Sequence, residues 1–134
     1  MNDRIVVIAG GLSPERDVSL RSGRRVAEDL RDAGFQAEVR DIDATLLADL
    51  QNDPPACAFP IVHGVAGEDG SLQEVLQAIN VPFVGSDATS CRRSFDKAIA
   101  GSLVSAAGIS IPNAIALPQA MFRDLGAGGL LDAI

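Results

Sequence analysis

The chain has no tryptophan and no tyrosine, and only 5 phenylalanines and 1 histidine among 134 residues. Few rings are available to stack on bases, and 11 basic against 18 acidic side chains give a formal charge of -7. Nucleic acid is therefore not an expected partner, because phosphate binding needs clustered Lys and Arg. The basic residues that do cluster, Arg21, Arg24 and Arg25, are followed one helical turn on by Glu28 and Asp29, which reads as a solvated, ion-paired face. The 2 cysteines, Cys57 and Cys91, lack metal or disulfide spacing, so free thiols are expected. No apolar run approaches the roughly 18 residues of a membrane span. Arg4 is followed by a short apolar run that stops at Gly10-Gly11, with no signal-peptide core or cleavage site. A soluble, cytoplasmic protein is expected, with no membrane partner. A hydrophobic share of 47% and a charged share of 22% suit one domain with its own core and part of a second.

The most informative stretch runs from Ile5 to Leu20. Ile5-Val6-Val7-Ile8-Ala9 is apolar throughout and almost entirely β-branched, which suits a strand covered on both faces of a parallel sheet. Gly10-Gly11 permits a sharp turn. Ser13 is placed to cap a helix over 14–33, Pro14 suits its first turn, and Glu15 and Asp17 complement its dipole. Ligands of open α/β sheets bind at strand carboxyl ends. Glu15 is thus either a contact for an ammonium group or simply a dipole-complementing residue. The G-x-G-x-x-G spacing is absent, and a carboxylate would repel a pyrophosphate, which argues against a dinucleotide site.

Further along, apolar positions at Val18, Ser22 or Gly23, Val26, Leu30 and Ala33 define the buried side of the first helix, and Gly34 ends it. Residues 35–42 alternate as an edge strand. Asp43 can cap a helix over 44–51, and 56–62 reads as a central strand weakened by Pro60. The segment His63-Gly64-Val65-Ala66-Gly67-Glu68-Asp69-Gly70 reads as a loop. Ser71 and Glu74 form a capping box, and Val81-Pro82-Phe83-Val84 supplies a fourth strand. The alternation predicts an open four-stranded parallel α/β sheet with helices on both faces, Rossmann-like, over 1–93. Beyond it, Asp87 caps a short helix, a second helical run covers 95–107 to Gly108, and 118–134 holds one or two short helices. Residues 94–134 lack a strand to complete a sheet and read as the opening of a second domain.

In the common doubly wound order the first and third strands are neighbours, so Glu15 and His63 face one crevice. A carboxylate for an ammonium and an imidazole for a carboxylate would hold an amino acid by both ends. Equally, His63 can simply pin its own glycine loop. Two ligands without a third make a poor metal site, so no metal ligands are assigned. Glu68 and Asp69 are expected to shape the turn and the helix start.

These residues resemble a known family. The run Gly10-Gly11-Leu12-Ser13-Pro14-Glu15-Arg16-Asp17-Val18-Ser19-Leu20, then His63-Gly64 with Gly67-Glu68-Asp69-Gly70 and Gln73, then Pro82-Phe83-Val84-Gly85-Ser86, then Asp96-Lys97, is similar to D-alanine:D-alanine ligases in order and interval. The resemblance implies an ATP-grasp ligase whose pre-ATP-grasp amino-terminal domain is residues 1–93, with 94–134 opening the central ATP-grasp domain. It implies Glu15, as catalytic and substrate-binding residue, at the ammonium of the first D-alanine, His63 at that substrate's carboxylate, and Lys97 at ATP phosphates. ATP would phosphorylate one D-alanine carboxylate, magnesium would neutralise the phosphates, and the second amine would attack the acyl phosphate. The product serves peptidoglycan precursor synthesis. By the same resemblance the magnesium carboxylates lie beyond Ile134, the isolated chain is inactive, and a homodimer forms through the amino-terminal domain. Glu74 stands where glycine is usual, Phe83 where tyrosine is common, and Cys91-Arg92-Arg93 where small and apolar residues are frequent. Sister ligases making D-alanyl-D-lactate or D-alanyl-D-serine, and a stand-alone flavodoxin-like module binding an amino acid or nucleotide, are the alternatives.

Overall fold

A computed structural model describes residues 4–133. The chain divides into two compact units, one ending at Phe95 and one beginning at Asp96.

In the first unit the apolar run becomes β1 (Arg4–Ile8), flanked by β2 (Gln36–Arg40) and β3 (Cys57–Pro60) in the parallel order β2-β1-β3. Successive β1 side chains go to opposite faces, and each face has its own cover. Val6 and Ile8 join Leu46, Leu50, Leu72 and Leu76 from helices α2 (Leu46–Asn52) and α4 (Ser71–Ala78). Ile5 and Val7 meet Ala27, with Val26 and Leu30 beside it, from α1 (Arg16–Asp32). Helices thus lie on both faces, as the pattern predicts. Each large side chain buried here contributes about 1.5–3 kcal/mol.

Among the described residues the sheet has three strands, not the expected four. The segment around Phe83 reaches the sheet through a single bridge to Ala58, made by the Ala58 amide to the Pro82 carbonyl at 2.7 Å and the Val84 amide to the Ala58 carbonyl at 3.0 Å. Extending this ladder would need an amide hydrogen on Pro82 at one end and on Pro60 at the other. Proline has none, so pairing stops after one residue.

The buried side of α1 follows the expected one at Gly23, with Val26 and Leu30 packed against the core, but departs from it at Val18. Ser19, Gly23 and Ala27 are buried, whereas Val18 is exposed. Small residues are needed because the helix lies close on the sheet: a Cβ at Gly23 would stand 2.5 Å from the Ala9 Cβ. Helix α1 ends in a Schellman turn, with the Phe35 amide on the Leu30 carbonyl and the Gly34 amide on that of Arg31, and Gly34 at φ +93°. The expected loop 63–70 contains one helical turn, α3 (Val65–Glu68). The capping box at Ser71 does not form. Instead Asp69 accepts the Ser71 amide at 2.8 Å, and the Glu74 carboxylate pairs with Arg92 of α5 (Ala88–Phe95). Asp87 accepts the Ser90 amide at 2.7 Å, the cap expected of it.

The second unit holds α6 (Lys97–Ala106), capped by the Asp96 side chain on the Ala98 and Ile99 amides, and two short helices, α7 (Gln119–Leu125) and α8 (Ala127–Ala133), separated at Gly126. Among the described residues no helix is long and apolar enough to cross a membrane.

Candidate functional site

Because β1 and β3 are neighbours, the turns at their carboxyl ends open side by side. The first is built around Gly10 and Gly11, both with positive φ. Asp41 holds this turn: its carboxylate accepts the Gly11 amide at 2.8 Å and pairs with Arg16, whose guanidinium also donates to the Gly11 carbonyl at 3.0 Å. The hydrogen bond from Arg16, reinforced by the backbone amides of Gly11 and Ile42, holds the Asp41 carboxyl below its ordinary range. Gly10 has φ +101°, a conformation that favours glycine, and a Cβ there would stand 2.2 Å from an Asp41 oxygen and displace that carboxylate. Beneath the turn, Ser19 is fully buried. Its hydroxyl accepts the Gly10 amide at 2.8 Å and donates to the Ile61 carbonyl at 2.5 Å, joining the ends of both strands.

Ser13 was expected to cap α1, but it serves another contact. Its hydroxyl accepts the Glu15 amide at 3.1 Å and donates to the His63 carbonyl at 3.0 Å, bridging the two turns. Glu15 itself occupies the position before the first helical residue, with its side chain exposed. Across the gap, Gly64 has φ +86° and ψ -173°, a conformation essentially confined to glycine, and a Cβ there would crowd Ser13 at 3.1 Å. The backbone of this second turn therefore approaches Ser13 and Glu15 closely. Between the turns lies a hollow of about 490 Å³, walled by Ser13, Pro14 and Glu15 on one side and Gly64, Val65 and Ala66 on the other, with Leu12 at its rim.

Glu15 and His63, the two residues singled out from the sequence, come together. One donor atom from each of Glu15, His63 and Glu68 lies within 4.8 Å of the others. Glu15 belongs to the wall of the hollow; the His63 imidazole does not. Glu68 is the member that sequence reasoning missed. Rather than only shaping a turn, its carboxylate accepts the Gly64 amide at 3.2 Å and stands 4.0 Å from His63 Nδ1. The signal available was its four-residue spacing from Gly64, which a single turn of helix brings into contact. Lys97 lies in the second unit, exposed in the first turn of α6, where it lines a hollow of about 470 Å³ with Ser102 and Ile111.

Comparison with known proteins shows which family the chain is related to. The model for the D-ala D-ala ligase N-terminus matches residues 32–86, which include His63, Glu68 and Gln73. The D-alanine:D-alanine ligase of Coprothermobacter proteolyticus is 39% identical over 112 residues, 83% of this chain and 37% of that protein. The chain belongs to the D-alanine:D-alanine ligase family. Among solved members, the Bacillus anthracis D-alanine:D-alanine ligase complexed with ATP matches with a TM-score of 0.74 at 28% identity, covering 92% of this chain and 43% of that one. The VanG D-Ala:D-Ser ligase of Enterococcus faecalis matches with a TM-score of 0.75 at 27% identity, covering 99% and 49%. The chain therefore spans between a third and a half of the length of these relatives.

Proposed function

We propose that this chain is the first-substrate-holding part of an ATP-dependent ligase that joins two D-alanines into D-alanyl-D-alanine for peptidoglycan precursor synthesis in the cytoplasm. The observation that carries the reading is the meeting of Glu15 and His63 at the mouth of two adjoining strands, beside a hollow large enough for an amino acid. Glu15 holds the ammonium of the first D-alanine, and the imidazole of His63 takes its carboxylate. Holding both ends fixes which carboxylate oxygen meets the γ-phosphate of ATP, so that ADP leaves and an acyl phosphate forms. The amine of the second D-alanine then attacks the carbonyl carbon and inorganic phosphate departs. Lys97 contributes a point charge to the ATP phosphates. Residues 1–93 form the pre-ATP-grasp domain and 94–134 the opening of the ATP-grasp domain, with the first serving as a homodimer interface.

Magnesium prefers oxygen ligands in octahedral geometry. Among the described residues the second unit holds no cluster of three carboxylates, and the one cluster in the first unit includes an imidazole. The side chains present do not fit magnesium, and no step here runs through it.

The single histidine makes the test direct. D-alanine should shift the two carbon-bound proton resonances of His63, and Glu15→Gln should weaken that binding at least about tenfold by removing a charge-assisted contact. Unmoved resonances at saturating D-alanine would refute the reading. The chain alone should release no phosphate from ATP and D-alanine in a coupled assay. Calorimetry with a flavin addresses the flavodoxin-like alternative, which tight flavin binding would favour. The comparable likeness to VanG keeps a D-alanyl-D-serine ligase, and with it a D-alanyl-D-lactate ligase, as a second reading. An acceptor panel of D-alanine, D-serine and D-lactate on the full reading frame separates the three.

A further inference from the structure

We propose that Glu15, His63 and Glu68 together form a binding site for a zinc-class divalent ion, at which the metal takes the place of the substrate's ammonium group. The competition with substrate rests on the proposed function above; the metal site does not.

Sequence spacing supplied two candidate ligands from separate turns, too few for a metal. The single turn of α3 supplies the third by bringing Glu68 back to His63. One imidazole nitrogen and two carboxylate oxygens are a donor set suited to zinc, cobalt or manganese and poorly suited to magnesium. Ligand atoms about 2.0–2.2 Å from a tetrahedral zinc stand roughly 3.5 Å apart. The three donors here lie within 4.8 Å of one another, with His63 Nδ1 and Glu68 Oε1 at 4.0 Å. A closure of about 1 Å is within reach of two exposed glutamates whose backbones are already fixed by the Ser13 bridge and by the conformation of Gly64. A tetrahedral ion held by three protein ligands keeps a fourth position for water. With a neutral imidazole the trio carries two negative charges and no compensating cation of its own, so it favours a cation of either kind, ammonium or metal.

The test titrates zinc chloride, and magnesium chloride in parallel, into the 134-residue chain while following the carbon-bound proton resonances of His63. Zinc should shift them saturably and magnesium should leave them in place. Glu68→Gln and Glu15→Gln, isosteric changes at exposed positions, should each weaken zinc binding at least about tenfold. Unchanged dispersion of the remaining spectrum checks that both variants stay folded. Zinc that leaves His63 unmoved, as binding at Cys57 or Cys91 would, overturns the site. So does an affinity indifferent to both substitutions, which would mean a lone imidazole. Excess D-alanine should raise the apparent Kd for zinc. A zinc site that meets the variant test and ignores D-alanine leaves the metal site standing and overturns the ammonium assignment instead.

Discussion

The hydroxyl of Ser13 donates to the carbonyl of His63 at 3.0 Å across a separation of 50 residues in the chain. It is a short side chain near the end of one strand holding the backbone at the end of another. The same oxygen accepts the Glu15 amide, so one atom relates the two residues on which the proposed chemistry depends. Ser13→Ala keeps the turn's backbone free to form but removes this bridge. The expected outcome is a loss of about 1 kcal/mol in urea unfolding and a several-fold weaker response of the His63 resonances to D-alanine. Retained affinity would show that the turns are held together without it.

Ser19 does the corresponding work inside the protein. Its hydroxyl is fully buried and serves both the Gly10 amide and the Ile61 carbonyl. Ser19→Ala removes the buried partner of the Gly10 amide and a half-buried donor to the Ile61 carbonyl, at a cost of about 1–3 kcal/mol. Chemical denaturation should read that loss as a lower midpoint with an unchanged slope.

Gly67 tolerates no side chain. A Cβ there would stand 2.0 Å from the Val62 carbonyl oxygen, a backbone atom that cannot swing aside. Gly67→Ala should force α3 away from the end of β3, with a stability loss of about 2–4 kcal/mol and displaced His63 resonances in the absence of any ligand.

The acid limb of the stability curve is set partly by Asp41. Its carboxyl is lowered from the ordinary value of 3.8, first by the hydrogen bond from Arg16. A group depressed in the folded state stabilises above its unfolded pKa and loses that contribution as the pH falls through the folded one. The wild-type chain should therefore lose stability most steeply below pH 3.8, where Asp43, Asp49 and Asp87 are lowered as well. Asp41→Asn should be less stable near neutrality, and its deficit should shrink from about pH 5 to pH 2. A constant deficit across that range would remove Asp41 as the source.

Much of this arrangement is legible in the residues themselves. A β-branched run, the glycines after α1 and α6 and the aspartates before α2 and α5 give the strand, the stops and the caps, because each depends on local sterics or one local hydrogen bond. The juxtaposition of Glu15 and His63 follows from strand order, which the alternation of elements dictates. What stayed hidden depends on contacts between distant segments. The large apolar residues Val26 and Leu30 marked only the flank of the buried side of α1, since close approach to the sheet selects Ser19, Gly23 and Ala27 at its centre. The fourth strand reads as complete in sequence because only the pairing of Ala58 with Phe83 shows that Pro60 and Pro82 both fall at donor positions of the ladder. Glu68 looked like turn chemistry because α3 is too short to show a period.

Those prolines have a consequence for the molecule in crowded solution. Pro60 sits on the outer strand and Pro82 on the segment that borders it, so the row of donors along this margin is interrupted beside Ala58. A strand from a neighbouring molecule arriving here finds no continuous register along which to zip, and the margin is thereby guarded against runaway polymerisation.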